Sequence, residues 1–170
     1  EFLPDGATQG ERRVFAALQA LPDDVIVYYE PVIARRYPDF IVIAPTLGVI
    51  VIEVKGIPLK SITHADDHTI RYTHSGQPQE QAHPSRQALG YMRDLMNRCQ
   101  RNGYFTFAFG KLAIMTSIRR TDLDASPWAA LFPRGETLCA DEFDALDDDP
   151  VALMAALKAA MPPHVPIMPI

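Results

Sequence analysis

The sequence PDFIVIAPTLGVIVIEVK, residues 38–55, gives the clearest indication of the fold. Two runs of β-branched apolar residues are joined by Pro-Thr-Leu, a pattern that predicts an antiparallel β-hairpin centred on Thr46. In that register Asp39 lies opposite Glu53, where cross-strand neighbours have Cβ atoms about 5 Å apart. Glu53 and Lys55 share one face of their strand because successive side chains alternate between faces. Two carboxylates and an ammonium therefore converge at the open end of the hairpin, whereas a shift of one residue would turn Asp39 away.

Charged residues at the end of so apolar a strand need an explanation. Burying a charge costs several kcal/mol unless it is paired or bound to metal. Two carboxylates at this spacing repel each other and favour a hard divalent cation, and Mg²⁺ commonly combines one or two carboxylates with water and phosphate oxygens. Lys55 would then orient or deprotonate a water and offset charge on a phosphate. The alternative is a structural salt bridge between Asp39 and Lys55 with Glu53 solvated, and a Glu-x-Lys pattern by itself does not exclude it.

The rest of the chain reads as alternating helices and strands. A helix with Thr8 as its N-cap ends at Pro22-Asp23-Asp24, and Pro84 suits the first turn of a second, long helix. The predicted segments are helices over 8–21, 84–103, 126–132 and 149–161, and strands over 25–29, 38–44, 48–55, 69–73, 111–117 and 137–140. This order indicates an α/β fold with a central mixed β-sheet flanked by helices.

Length and composition predict one soluble globular domain. The chain has 170 residues, of which 48% are hydrophobic and 22% charged. No apolar run approaches the roughly 20 residues that span a bilayer, so no membrane segment is expected. The two cysteines fit neither a disulfide framework nor a zinc site, which is typical of reduced thiols in a cytoplasmic protein.

The net charge of −5 is distributed unevenly along the chain. Residues 1–135 hold 15 Lys/Arg against 14 Asp/Glu, whereas residues 136–170 hold 1 against 7. We therefore expect any nucleic-acid contact on the basic body and not on the acidic C-terminal block. The candidate arginines, each of which could equally lie on a solvated face, are Arg12, Arg13, Arg35, Arg36, Arg86, Arg93, Arg98, Arg101, Arg119 and Arg120.

Three short motifs resemble a known family. PDF, followed after a short turn by GVIVIEVKG, resembles the signature of the PD-(D/E)XK nucleases. GERRVFAAL before it and HPSRQA after it are similar to the nuclease-related domain family, NERD, within that superfamily. The resemblance covers roughly residues 8–120 in the right order. We therefore expect one domain over 1–170, with its core at about 8–120 and a C-terminal strand and helix extension at 136–162.

The resemblance implies a restriction-endonuclease-like core and metal-dependent hydrolysis of phosphodiesters, with DNA as the expected substrate. Asp39 and Glu53 would be ligands of Mg²⁺ or Mn²⁺, with the Val54 carbonyl as a third, and Lys55 would be the catalytic lysine. Glu11 would be an extra acid of the site and Gln87 a polar supporting residue. By position alone, Glu11 favours the helix dipole and Gln87 is a solvated helix residue.

Two further expectations concern metals and partners. His64, His68, His74 and His83 are spaced by 4, 6 and 9 residues, which is not a helical ligand spacing, so we expect no metal role for them. The alternative to a nuclease is a catalytically inactive nucleic-acid-binding or scaffolding module of the same fold. The abrupt ends of the chain also suggest an accessory domain fused to or associated with a larger helicase or DNA-repair protein.

Overall fold

The computed structural model describes residues 3–103 and 108–162 of the chain. The helices are α1 Gln9–Gln19, α2 Pro84–Arg101, α3 Arg120–Asp124, α4 Ala140–Asp144 and α5 Pro150–Ala159. The strands are β1 Ile26–Tyr29, β2 Phe40–Ala44, β3 Gly48–Lys55, β4 Ile62–Ala65, β5 Thr69–His74, β6 Gln77–Ala82, β7 Phe109–Met115 and β8 Thr137–Cys139. No helix in these two ranges is long and apolar enough to cross a bilayer.

The central sheet is mixed, as the sequence predicts, and has the strand order β1-β2-β3-β7-β8. β1 pairs with β2 and β2 with β3 in antiparallel fashion, whereas the β3–β7 and β7–β8 pairs are parallel. Phe40 pairs with Ile52 and Ala44 with Gly48, which is the hairpin register predicted around Thr46. The next step of this register places Asp39 beside Glu53, at the end of β3 where the central sheet meets the cleft described below.

Helices cover both faces of the central sheet. On one face, α1, α4 and α5 enclose a core that includes Val14, Phe40, Ile52, Phe143 and Leu157. On the other face, α2 packs its Ala88 and Tyr91 against Ile41, Val49 and Val51. Because both faces are covered, β3 is buried along nearly its whole length, which explains why its sequence is an apolar run and not an alternating one.

A second, three-stranded antiparallel sheet of β4, β5 and β6 lies between β3 and α2 in the sequence. Ile70 of β5 packs with Ile57 and Met115 in a third apolar cluster, which attaches this small sheet to the end of the central one. The predicted strand at 69–73 is therefore confirmed. β6 was not predicted, because its residues QPQEQA are all exposed, are mostly polar and include a proline.

The C-terminal segment is part of the fold and not a separate acidic tail. β8 pairs with β7, and Phe143, Leu153 and Leu157 complete the core above α1. The short helix predicted over 126–132 is confined to one 3₁₀ turn, Ala129–Leu131. Two short helices, α3 and α4, were not predicted because five residues are too few to show a helical period.

Candidate active site

Asp39 and Glu53 are joined by backbone hydrogen bonds at the open end of the hairpin. The Val54 N–H donates to Asp39 Oδ2 at 2.7 Å, and the Asp39 N–H donates to Glu53 Oε1 at 3.4 Å. The Lys55 ammonium lies 3.3 Å from Glu53 Oε2. The structure therefore pairs Lys55 with Glu53 and not with Asp39, so the predicted alternative of a salt bridge between Asp39 and Lys55 is wrong.

Burial governs the protonation of both carboxylates. Glu53 has no exposed surface, and its burial together with the charge of Asp39 raises the pKa of its carboxyl to about 8 despite the opposing effect of Lys55. Burial also raises the pKa of Asp39, although the hydrogen bond from Val54 and the charge of Lys55 act against it. Two neighbouring acids whose ionised forms are both disfavoured are a typical setting for a bound cation or for acid–base chemistry.

A cleft of about 800 Å³ opens in front of this pair. Asp39, Val54 and Lys55 line one wall, and the small sheet forms the opposite wall. Gly10 lets the first turn of α1 approach closely, because a Cβ there would lie 2.8 Å from Thr116 Oγ1. Glu53 lies behind the wall formed by its neighbours and does not line the cleft itself.

Glu11 lines the cleft, but its carboxylate has local partners. Glu11 Oε2 accepts from the Thr8 N–H and from the Tyr29 hydroxyl, each at 3.0 Å. Thr8 accepts in return from the Glu11 N–H, so the two residues form a capping box at the start of α1. Glu11 is near enough for its charge to raise the pKa of Asp39. The structure thus gives Glu11 a capping role and a place in the cleft, and its role as an extra acid stays a prediction.

Gln87 does not line the cleft. Its side-chain amide donates to the Tyr91 hydroxyl at 3.4 Å, and that hydroxyl donates to the Tyr37 carbonyl at 3.3 Å. Gln87 therefore reaches the hairpin end only through Tyr91 and the chain segment before Asp39. Its predicted role as a supporting residue is untested.

The residues of the far wall of the cleft were not predicted from the sequence. It is formed by Lys60, Tyr72, His74 and Gln81, with the Tyr72 hydroxyl accepting from the Gln81 amide at 2.7 Å. The available signal was the Ser-Gly pair at 75–76, which has positive φ at both positions as a two-residue hairpin turn requires. That pair joins β5 to the polar β6, which carries no apolar alternation to mark it as a strand.

A separate acidic group lies at the turn between β4 and β5. Asp66, Asp67 and His68 are exposed and bring one ligand atom each within 4.8 Å of one another. In the part of the chain that the structure describes, no other group of three His, Cys, Asp or Glu side chains meets that spacing, so Glu11, Asp39 and Glu53 do not. Asp66 Oδ1 already accepts from the N–H groups of His68 and Thr69, which accounts for the group as a hydrogen-bonded turn.

Comparison with known proteins bears on the motifs at the hairpin. The family model described as the nuclease-related domain, NERD, matches residues 6–115. That match includes α1, the hairpin with Asp39, Glu53 and Lys55, the small sheet, α2 and β7. No curated protein and no solved structure matches the chain. The matched segment is more than half of the sequence, and the chain belongs to the nuclease-related domain family.

Proposed function

We propose that this protein is a nuclease dependent on Mg²⁺ or Mn²⁺ that hydrolyses phosphodiester bonds of DNA. The observation that carries the proposal is the grouping of Asp39, Glu53 and Lys55 beside a cleft, in a chain of a nuclease-related family. The proposal also includes a cytoplasmic setting and association with a helicase or DNA-repair protein.

The donor atoms at the hairpin end fit a hard divalent cation. Asp39 uses Oδ2 for the Val54 N–H, which leaves Oδ1 available, and the contacts of Glu53 at 3.3 and 3.4 Å are long. Oxygen donors of this kind suit Mg²⁺ and Mn²⁺, and Asp39, Glu53 and the Val54 carbonyl are the proposed ligands. The raised pKa of Glu53 supports the same assignment, because a nearby cation would restore the ionised form.

The side chains have separate roles in the proposed reaction. A bound divalent ion would polarise the scissile phosphate and acidify a water. Lys55, partly exposed to the cleft, orients that water towards phosphorus and offsets the negative charge that develops on the phosphate oxygens. The water loses a proton and its oxygen forms a new bond to phosphorus as the bond to the leaving sugar oxygen breaks, and the leaving oxygen takes up a proton from solvent, so that one water is consumed for each bond cleaved. Asp39 is held in place during this step by its hydrogen bond from the β3 backbone.

The test is cleavage of supercoiled plasmid, linear duplex and single-stranded DNA, and of RNA, with Mg²⁺, Mn²⁺ or EDTA. We expect cleavage of DNA with either metal and none in EDTA. Lys55→Ala should lower the rate by about 100-fold or more, as expected for a group that acts on the transition state. Lys158→Ala is the matched control, because Lys158 is exposed on α5, away from the residues that line the cleft.

Two outcomes would contradict the proposal. Equal cleavage by the wild type and by Lys55→Ala would place the activity elsewhere or in a contaminant. Binding of DNA without cleavage by any metal-loaded preparation would favour the inactive binding or scaffolding module instead.

A further inference from the structure

The arginines of this protein fall into two groups. Most of the arginines outside α2 have a partner within the protein. Five of them form salt bridges with carboxylates, and the guanidinium of Arg12 donates to backbone carbonyls. Four on α2 form no salt bridge with any residue in 3–103 or 108–162. These four, all exposed, are Arg86, Arg93, Arg98 and Arg101. An exposed helix with several unpaired cations is the expected footprint of a polyanion.

Helix geometry places most of these cations on one line. Arg93 follows Arg86 by seven residues and Arg101 follows Arg93 by eight, so the three lie close to one face of α2 over about 22 Å. Gly90 lies on the same face, one turn from Arg86 and from Arg93. The guanidinium of Arg36 crosses the helix at Gly90, where a Cβ would lie 3.3 Å from its Nη1 atom. Arg36, although it pairs with Asp94, therefore lies on the same face of α2 as these arginines.

The hairpin side of this surface carries an exposed aromatic ring. Tyr37 is 57% exposed and lies two residues before Asp39. Its backbone is fixed to α2, because the Tyr91 hydroxyl donates to the Tyr37 carbonyl and Arg36 lies 4.7 Å above the Tyr91 ring while pairing with Asp94. The backbone of Tyr37 and the helix that carries the arginines are thus held together, and Tyr37 lies two residues before Asp39, which lines the cleft.

We infer that this surface, formed by Tyr37 and the arginine face of α2, binds a single-stranded nucleic acid that leads into the cleft. The inference rests on the proposed function and names the form of its substrate. Arginines in a row can contact phosphates along one strand, and an exposed ring gives an unpaired base a stacking surface, which a base inside a duplex does not need. Charge complementarity is the argument for a nucleic-acid strand, and the ring next to the site is the argument for a single strand.

The experiment measures binding and not cleavage. A fluorescein-labelled single-stranded oligothymidine is titrated with protein in EDTA over a range of salt, using fluorescence anisotropy. Arg93→Gln/Arg101→Gln should lower the salt dependence of binding by about 1.4 in the log–log slope, since each lost phosphate contact on a single strand contributes about 0.7. Val151→Glu/Lys158→Gln is the control, because it makes the same change in net charge at two exposed positions of α5, on the opposite face of the sheet.

A second pair of variants tests the ring. Tyr37→Ala should weaken single-strand binding about fivefold or more, and Tyr37→Phe, which keeps the ring, should bind as the wild type does. Equal losses in the α2 and α5 double variants, or a wild type that binds duplex more tightly than single strands, would overturn the inference. Binding that depends on Tyr37 and α2 in a protein that cleaves nothing would support the surface and refute the proposed function. Cleavage that depends on Lys55 with no effect of the surface variants would do the reverse.

Discussion

Two clusters of buried charge in this protein differ in how well their surroundings satisfy the charge. In the first, Arg120 is 4% exposed and its guanidinium donates to both carboxylate oxygens of Glu142 and to the carbonyls of Phe132 and Thr137. Burial lowers the pKa of Arg120, but the hydrogen bonds with Glu142 and the nearby negative charges more than compensate and raise it. The environment therefore favours the charged form.

In the second cluster, at Glu53, the balance is reversed. Glu53 is fully buried beside another acid, and its contacts to Lys55 and to the Asp39 N–H are longer than the hydrogen bonds that Arg120 forms with Glu142 and the two carbonyls. Its raised pKa shows that the protein environment disfavours the carboxylate. A stabilising cluster satisfies its own charges, as the one at Arg120 does. The environment of Glu53 does not satisfy its charge, as we expect of the proposed cation site.

The largest expected effect tests whether the cluster at Glu53 serves activity and the cluster at Arg120 serves stability. Glu53→Gln keeps the size of the side chain but removes the charge proposed to hold the metal, so metal-dependent cleavage should fall by about 100-fold or more. The free energy of unfolding should stay unchanged or rise, because the carboxylate is disfavoured where it lies. Plasmid cleavage and urea unfolding on the same preparation measure both quantities. A variant that is destabilised yet cleaves normally would make Glu53 a structural residue.

Arg120→Met should show the opposite pattern. It removes the buried one of the two arginine partners of Glu142 and takes a hydrogen-bond donor from the carbonyls of Phe132 and Thr137, so we expect a loss of about 3 kcal/mol in the free energy of unfolding. Arg134→Gln is the matched control, because Arg134 pairs with the same Glu142 from an exposed position and should cost less than about 1 kcal/mol. Equal losses in the two variants, measured by urea unfolding, would remove the distinction between a buried and a surface partner.

The contrast also marks what the sequence could predict. The hairpin register and the positions of Asp39, Glu53 and Lys55 follow from local signals, namely apolar runs of matched length around a short turn. Arg120 was predicted to be a basic surface residue, because the doublet Arg119-Arg120 carries no sign that residues 132, 137 and 142 would surround it. Its burial depends on contacts between distant segments. The far wall of the cleft was missed for a related reason, since β6 is fixed by pairing with β5 and not by its own composition.

His83 is a third buried ionisable group. Unlike Arg120 and Glu53, it forms no salt bridge with any described residue. It is 2% exposed, its Nε2 has no hydrogen-bond partner among the described residues, and its ring lies 4.7 Å from that of Phe132. Burial and the charge of Lys111 lower the pKa of His83 to about 4 from its ordinary 6.5. The unfolded chain therefore takes up the proton first as the pH falls. The free energy of unfolding that depends on neutral His83 is therefore fully present above pH 6.5 and is lost as the pH falls towards 4.

The matching experiment compares the wild type with His83→Phe. Between pH 7 and pH 4.5, the wild type should lose about 2 to 3 kcal/mol more unfolding free energy than the variant. Comparing the two proteins cancels the titration of Asp39 and Glu53, which both retain, and any constant effect of the substitution on packing. Parallel pH profiles would show that His83 is accessible to protons in the folded state.

The smallest effect belongs to the acidic C-terminal block. Arg13 on α1 pairs with Asp144 and Asp147, each at 2.5 Å, and lies 5.3 Å from the centre of the Phe143 ring. These ion pairs are partly exposed, so Asp147→Asn should cost no more than about 1 kcal/mol, and the cost should shrink as salt is added. Asp148→Asn is the control, because it removes the same charge from the neighbouring residue, which forms no salt bridge in the described part of the chain. Urea unfolding at low and high salt measures both variants. A loss of about 3 kcal/mol at Asp147, independent of salt, would place this pair with Arg120 among the buried clusters that hold the fold together.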